Sequence, residues 1–123
     1  MKVLIIEDNE AEARILARLL ELNFEKPHLL LTGLGKKGIE LARHEQPDVI
    51  ILDLTLPDMN GFEVLRSIRS FSKSPVIIVT AWADKVYEEE ARELHATDYI
   101  IKPFSHNDLL AKLRACLPCP KPL

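Results

Sequence analysis

Four short apolar runs in this sequence each end at a polar side chain that could take part in chemistry. If the runs are parallel strands of one sheet, their endings meet at one edge, and ligands of open α/β sheets bind at that carboxyl edge. Three carboxylates, one hydroxyl and one ammonium would then converge. They are Glu7 and Asp8 after residues 3–6, Asp53 after 49–52, Thr80 after 76–79 and Lys102 after 99–101.

Such a cluster of carboxylates needs a counter-charge. Two like charges 4 Å apart repel by about 4 kcal/mol at an effective dielectric of 20. A proton, a lysine or a metal ion could relieve that repulsion, and carboxylates without histidine or cysteine suit Mg²⁺ where phosphate is also bound. A carboxylate nucleophile, a metal, the Lys102 ammonium and the Thr80 hydroxyl together predict phosphoryl transfer to an aspartate.

Apolar and amphipathic stretches alternate five times along the chain. This alternation predicts a parallel sheet with right-handed crossovers, and runs that are apolar at every position predict strands covered on both faces. We therefore expect a doubly wound α/β fold with a five-stranded parallel sheet and five helices. The predicted strands are residues 3–6, 28–32, 49–52, 76–79 and 99–101, and the predicted helices are 10–22, 36–45, 61–71, 84–94 and 105–117.

Length and composition indicate one soluble domain. The chain has 123 residues, of which 47% are hydrophobic, and its apolar runs are too short to span a membrane. A net charge of −3 gives no electrostatic basis for nucleic acid as the main partner. No secretory signal pattern follows Met1, so a cytoplasmic protein is expected. Cys116 and Cys119 lie in a proline-rich stretch and are interpreted as incidental thiols.

Four motifs together make the chain similar to the response-regulator receiver domains of two-component signalling. They are IED at 6–8, DLTLPDMNG at 53–61, TA at 80–81 and DYIIKPF at 98–104. The resemblance covers nearly the whole chain. It implies a flavodoxin-like strand order, 2-1-3-4-5, with a receiver domain over residues 1–117 and a proline-rich tail or linker over 118–123.

The resemblance also implies a role for each polar side chain at the edge. Asp53 would be the phosphoacceptor, which attacks the phosphohistidine of a histidine kinase or phosphotransfer protein. Thr80 would hydrogen-bond to the phosphoryl group and Lys102 would pair with it. The cofactor would be Mg²⁺. Its ligands would be Asp8, Asp53 and the backbone carbonyl of Thr55, with Glu7 acting through a metal-bound water.

The signal would leave through a conformational switch. By the same resemblance, Tyr99 turns inward when Thr80 moves toward phosphate, and the surface of the fourth helix, fifth strand and fifth helix changes. That surface would act on a downstream protein or an effector domain, and a homodimer could form through it. The Lys102–Pro103 peptide would be cis. Thr55 and Trp82 would tune access of the water that removes the phosphoryl group.

Two further expectations follow. The domain is a signalling receiver rather than an enzyme, catalysing only its own phosphorylation and dephosphorylation, without direct contact with nucleic acid or membrane. His95 stands where the family usually has glycine. Because histidine tolerates positive φ less well than glycine, the loop before Tyr99 is expected to differ in shape.

Three alternative functions fit parts of the sequence. Residues 33–38 match G-x-G-x-x-G, with Asp53 20 residues after Gly33, which is typical of dinucleotide binding. That motif follows the second strand rather than the first and leaves Lys102 unexplained. An aspartate-nucleophile phosphatase needs an acid where Thr55 stands. A phosphorylation-independent receiver-like protein-binding module would usually have lost the acceptor, the lysine or the acidic pair, which are all present here.

Overall fold

Strands and helices alternate throughout residues 1–117, the part of the chain that a computed structural model describes. The elements are β1 (Lys2–Ile6), α1 (Glu10–Asn23), β2 (His28–Thr32), α2 (Gly35–Glu45), β3 (Val49–Leu52), α3 (Gly61–Arg69), β4 (Val76–Thr80), α4 (Lys85–Glu93), β5 (Asp98–Ile101) and α5 (His106–Cys116). All strand pairs are parallel, and the order is β2-β1-β3-β4-β5. The predicted fold is confirmed.

Apolar strands hold the sheet between two helical layers. Because side chains alternate in direction along a strand, each fully apolar strand contributes apolar side chains to the cores on both faces of the sheet. Leu16, Leu20 and Leu113 of α1 and α5 pack on one face of the sheet, while Leu65 and Ile68 of α3 pack with α2 and α4 on the other. Strands β1, β3 and β4 are buried throughout apart from Lys2 at the outer end of β1, so the sheet is a rigid base for its edge.

Side-chain caps start the helices just beyond the carboxyl ends of the strands. The N-caps of α1, α3, α4 and α5 each accept a hydrogen bond from a backbone N–H of the first turn, which satisfies a donor that the helix leaves free. Those caps are Asn9, Asn60, Asp84 and Ser105. The helix starts are thereby fixed around the same edge of the sheet.

The turn after α4 carries His95, the residue at which the sequence departs from the resemblance. His95 has φ 66°, in the left-handed region, so the backbone adopts the conformation that glycine would supply. The Ala96 N–H bonds to the Ala91 carbonyl and the His95 N–H to that of Arg92, which is the pattern of a Schellman C-cap. The helix end therefore imposes the left-handed turn in spite of the side chain.

The end of the chain lies outside the described residues. This applies to the predicted tail at 118–123 and to Cys119, whereas Cys116 is a half-buried free thiol. Within residues 1–117, no helix combines the length and apolar character needed to cross a membrane.

Candidate phosphoacceptor site

The carboxyl edge of the sheet brings Lys102 against three carboxylates. Its Nζ donates to Glu7 Oε1 at 2.7 Å, to Asp53 Oδ2 at 2.8 Å and to Glu12 Oε2 at 2.5 Å. Glu7 follows β1, Asp53 follows β3 and Lys102 follows β5, so the parallel register places these three together. Glu12 comes from the first turn of α1, which begins directly above β1.

Burial and hydrogen bonding divide the protons of this cluster unequally. Burial, together with the neighbouring carboxylates of Asp53 and Glu12, raises the pKa of Glu7 to about 9 against the opposing effect of Lys102. Burial alone would raise the pKa of Asp53 too, but the neighbouring Glu7 carboxyl and hydrogen bonds from Lys102 and the Thr55 N–H hold it below its usual value. At neutral pH the Glu7 carboxyl keeps its proton and Asp53 is ionised.

One buried oxygen of the cluster has no partner among the described residues. Glu7 Oε2 is inaccessible to solvent and accepts no hydrogen bond, although buried polar atoms in proteins are nearly always paired. Oxygens of Glu7, Glu12 and Asp53 lie within 4.8 Å of one another. A set of carboxylate oxygens with one unsatisfied buried atom fits a hard divalent cation such as Mg²⁺.

The loop between β3 and α3 holds Asp53 from its other side. Asp53 Oδ1 accepts from the Thr55 N–H at 3.0 Å, and an isolated bridge joins Thr55 to Asn60. A Cβ on Gly61 would lie 2.4 Å from the Leu54 Cα, so the loop can close onto α3 only with glycine there. The exposed Thr55 is thus kept beside the Asp53 carboxylate.

A second support ties this loop to α2. The N-cap of α2 is Leu34, whose side chain makes no capping bond. The carboxylate of Asp58 takes that place, accepting from the N–H groups of Gly35 at 2.7 Å and Lys36 at 3.0 Å. These backbone bonds hold the pKa of Asp58 below its usual value. Asp58, which lies in the loop between β3 and α3, therefore caps α2 rather than the helix that follows it.

Thr80 and Tyr99 meet at the backbone of Trp82. The buried Thr80 accepts from the Trp82 N–H at 3.2 Å, and the Tyr99 hydroxyl donates to the Trp82 carbonyl at 2.6 Å. The Trp82 ring lies 4.9 Å from the Tyr87 ring and 6.0 Å from the Phe62 ring, between centroids. Burial raises the pKa of Tyr99 to about 12, so its hydroxyl remains a donor.

Asp8 and Trp82 are among the predicted site residues that lie outside the carboxylate cluster. Asp8 is exposed at the end of β1 and is not among the carboxylates that converge on Lys102. Trp82 is half-buried and lines the groove over the β3–α3 loop together with Thr55.

The Lys102–Pro103 peptide bond is cis. In the G-x-G-x-x-G stretch, a Cβ on Gly38 would lie 2.5 Å from Ile6 Cδ1, so this glycine allows α2 to pack on β1.

Sequence reasoning missed Glu12. Its spacing from Asn9, three residues after an N-cap, is typical of a helix-capping acid, and the Asn9 side chain does accept from the Glu12 N–H. The bond from Lys102 joins residues 90 positions apart. The signal that could have found it is that α1 starts immediately after β1, which places its first turn over the same edge.

Comparisons with known proteins decide between the alternatives. The family model described as response regulator receiver domain matches residues 3–114. The chain belongs to the response regulator receiver domain family. It is a receiver domain of two-component signalling, and the phosphorylation-independent module is not supported.

The relatives of this receiver domain include longer proteins. Response regulator ArlR of Staphylococcus saprophyticus is 41% identical over 116 residues, which are 94% of this chain and 52% of ArlR. ArlR of Staphylococcus aureus is 40% identical with the same coverage. The chain therefore spans about half the length of the curated relatives it matches.

Solved receiver structures share the whole architecture. The BeF₃-activated receiver domain of Klebsiella pneumoniae RstA has a TM-score of 0.89 at 26% identity, covering 97% of this chain and 100% of that one. The receiver domain of sensor histidine kinase PA1611 from Pseudomonas aeruginosa, described with a magnesium ion in its active-site cleft, has a TM-score of 0.82 at 26% identity, covering 93% and 94%.

Proposed function

We propose that this receiver domain accepts a phosphoryl group on Asp53 from the phosphohistidine of a histidine kinase or phosphotransfer protein. The observation that carries the proposal is the state of Asp53: a buried carboxylate, ionised at neutral pH, and fixed by Lys102 and the Thr55 N–H. An Asp53 oxygen forms the bond to phosphorus while the phosphorus–nitrogen bond breaks, and the imidazole nitrogen leaves with the electron pair.

Mg²⁺ is the proposed cofactor. The unsatisfied Glu7 Oε2 and the all-oxygen cluster support a hard cation here, as does the magnesium ion described for PA1611. Asp8, Asp53 and the Thr55 carbonyl would hold it, with Glu7 acting through a metal-bound water. Bound Mg²⁺ supplies positive charge that offsets the charge on the transferring phosphoryl oxygens.

Lys102 and Thr80 would recognise the phosphoryl group once it is attached. Hydrogen bonds that Lys102 donates to three carboxylates raise its pKa against the effect of burial, so it is a permanent cation beside Asp53. The Thr80 hydroxyl accepts from the Trp82 N–H, which leaves its own hydrogen to donate to a phosphoryl oxygen. The buried end of β4 thus supplies a hydroxyl donor for the phosphoryl group.

Trp82 would connect this event to the output surface. Its N–H is held by Thr80 and its carbonyl by Tyr99, so one backbone unit links both proposed switch residues. A shift of this unit would change the position of Tyr99 and the surface built from α4, β5 and α5. That surface would act on a downstream protein or effector domain, and it is the proposed site of a homodimer.

Trp82 also lies where it could control the lifetime of the phosphoryl group. Trp82 and Thr55 line one groove beside Asp53, and a hydrolytic water would have to pass these two side chains. Dephosphorylation, like phosphorylation, would be catalysed by the domain on itself alone.

The wider setting is proposed on the same basis. Residues 1–117 would be the receiver domain and 118–123 a tail or linker. Because the ArlR relatives are about twice as long, an effector domain is the proposed target of the output surface. The domain would work in the cytoplasm, without binding membrane or nucleic acid itself.

The test is the mass of the intact protein after incubation with acetyl phosphate and Mg²⁺. Wild type should gain one phosphoryl group, Asp53→Asn none, and excess EDTA should abolish the gain. Asp84→Asn is the matched control, because asparagine caps a helix as well as aspartate does. Phosphorylation of Asp53→Asn would move the acceptor elsewhere, and no gain by folded wild type would refute the proposal.

A further inference from the structure

Lys102 has no hydrogen left for a phosphoryl oxygen. An ammonium has three donor hydrogens, and Glu7, Glu12 and Asp53 each receive one. A phosphoryl group on Asp53 can pair with Lys102 only if one of the present bonds is given up. The identity of the carboxylate that leaves therefore affects how readily the site binds an anion.

Exposure identifies Glu12 as the carboxylate that leaves. The Glu7 side chain is 2% exposed and that of Asp53 is 9% exposed, whereas that of Glu12 is 42% exposed. Asp53 must stay, because it carries the new group, and Glu7 has no path to water. Glu12 lies at an open groove of about 500 Å³ that is also lined by Ile15, Ala81 and Phe104.

The helix that carries Glu12 is fixed, so the movement needs only its side chain. The Glu12 N–H is bonded to the Asn9 cap, and its neighbour Ala13 is buried in the core. Rotation about the bonds of a long side chain at a partly exposed position requires no change in the backbone. The carboxylate can thus leave Lys102 for solvent while α1 stays in place.

Resting on the proposed function, we infer that Glu12 is a positioning residue that occupies the phosphoryl-binding donor of Lys102 in the unphosphorylated domain. An incoming anion must displace a carboxylate of the same charge. Glu12 therefore weakens the site for phosphodonors and for the bound phosphoryl group alike. A partly exposed ion pair is worth up to about 1 kcal/mol, so removing this competitor should tighten anion binding about three- to fivefold.

The test is equilibrium binding of beryllofluoride, a non-covalent phosphoryl analogue, followed by ¹⁹F NMR at saturating Mg²⁺. Wild type, Glu12→Gln and Glu10→Gln are compared. Glu10 is the matched control, since it is exposed in the same first turn of α1 and its removal changes the charge of the helix start equally. We expect Glu12→Gln to bind three- to fivefold more tightly and Glu10→Gln to bind like wild type.

The dependence of the phosphorylation rate on phosphodonor concentration is a second measurement, and a purely structural role of Glu12 would leave it unchanged. With acetyl phosphate, Glu12→Gln should lower the half-saturating donor concentration by the same factor, and Glu10→Gln should leave it as in wild type. Equal affinities in Glu12→Gln and Glu10→Gln, in a wild type that does bind beryllofluoride, would overturn the role of Glu12 alone. A wild type that neither binds beryllofluoride nor becomes phosphorylated would overturn the proposed function with it.

Discussion

Glu7→Gln should stabilise the domain in the absence of metal, and the gain should grow with pH. In the folded domain the pKa of Glu7 is raised from 4.5 to about 9 by burial, so the native state keeps a proton that the unfolded chain loses. Stability from this group is therefore complete below pH 4.5 and declines as pH rises toward 9. Glutamine has the same shape and no proton to lose.

The size of the effect follows from the pKa difference. At pH 7 the unfolded carboxyl is 2.5 pH units above its pKa of 4.5, and each unit is worth about 1.4 kcal/mol. Glu7→Gln should thus raise the free energy of unfolding by up to about 3 kcal/mol at pH 7 and by little at pH 4.5.

Urea unfolding in EDTA at several values between pH 5 and pH 8 measures this difference directly. Subtracting wild type from variant removes the contribution of every other titrating group. Glu21→Gln, at a site on α1 whose side chain is 52% exposed, is the control and should show little change at any pH. A Glu7→Gln difference that stays constant with pH would refute the protonated carboxyl. Saturating Mg²⁺ should stabilise wild type more than the variant, since ligands stabilise the state that binds them.

Two other substitutions test how the edge is supported. His95→Gly should raise the free energy of unfolding by about 1 kcal/mol in a urea titration, because glycine adopts φ 66° without the strain that a β-carbon causes. Asp58→Ala should lower the urea midpoint by uncapping α2. Because the pKa of Asp58 lies below its ordinary value of 3.8, that loss should be present at pH 7 and shrink as pH falls below 3.8. A loss that persists undiminished at pH 2.5 would assign it to something other than the charged cap.

The fold was predictable because local and long-range signals agree in this chain. The strand at residues 28–32 was predicted with its exact bounds, and the helices predicted to start at 84 and 105 have Asp84 and Ser105 as their N-caps. The main difference is the end of α3, which lies at Arg69 rather than Phe71. Beyond Arg69 the Ser72 N–H bonds to the Ile68 carbonyl and the chain turns toward β4. The apolar side chain of Phe71 did not indicate this turn.

The site was predictable only as far as strand ends determine it. Parallel pairing brings Glu7, Asp53 and Lys102 together whatever their side chains do, and the sequence shows where each strand stops. Side-chain direction is different, because it depends on competition among neighbours. Asp8 and Glu12 are both acidic and near the same edge, yet it is Glu12 that reaches Lys102 in the structure.

That competition has a single physical origin, which is the number of charges around one ammonium. Lys102 pairs with the ionised Asp53 and Glu12, and Glu7 joins them only by remaining protonated. A cation that reaches the cluster would let Glu7 ionise, and a phosphoryl group would release Glu12. Glu7 reduces the stability of the empty site by keeping its proton, and its ionisation would favour the metal. Glu12 instead pairs with Lys102 and opposes the anion. For this reason Glu7→Gln and Glu12→Gln should differ: the first gains stability and loses affinity for the metal, and the second gains affinity for the anion.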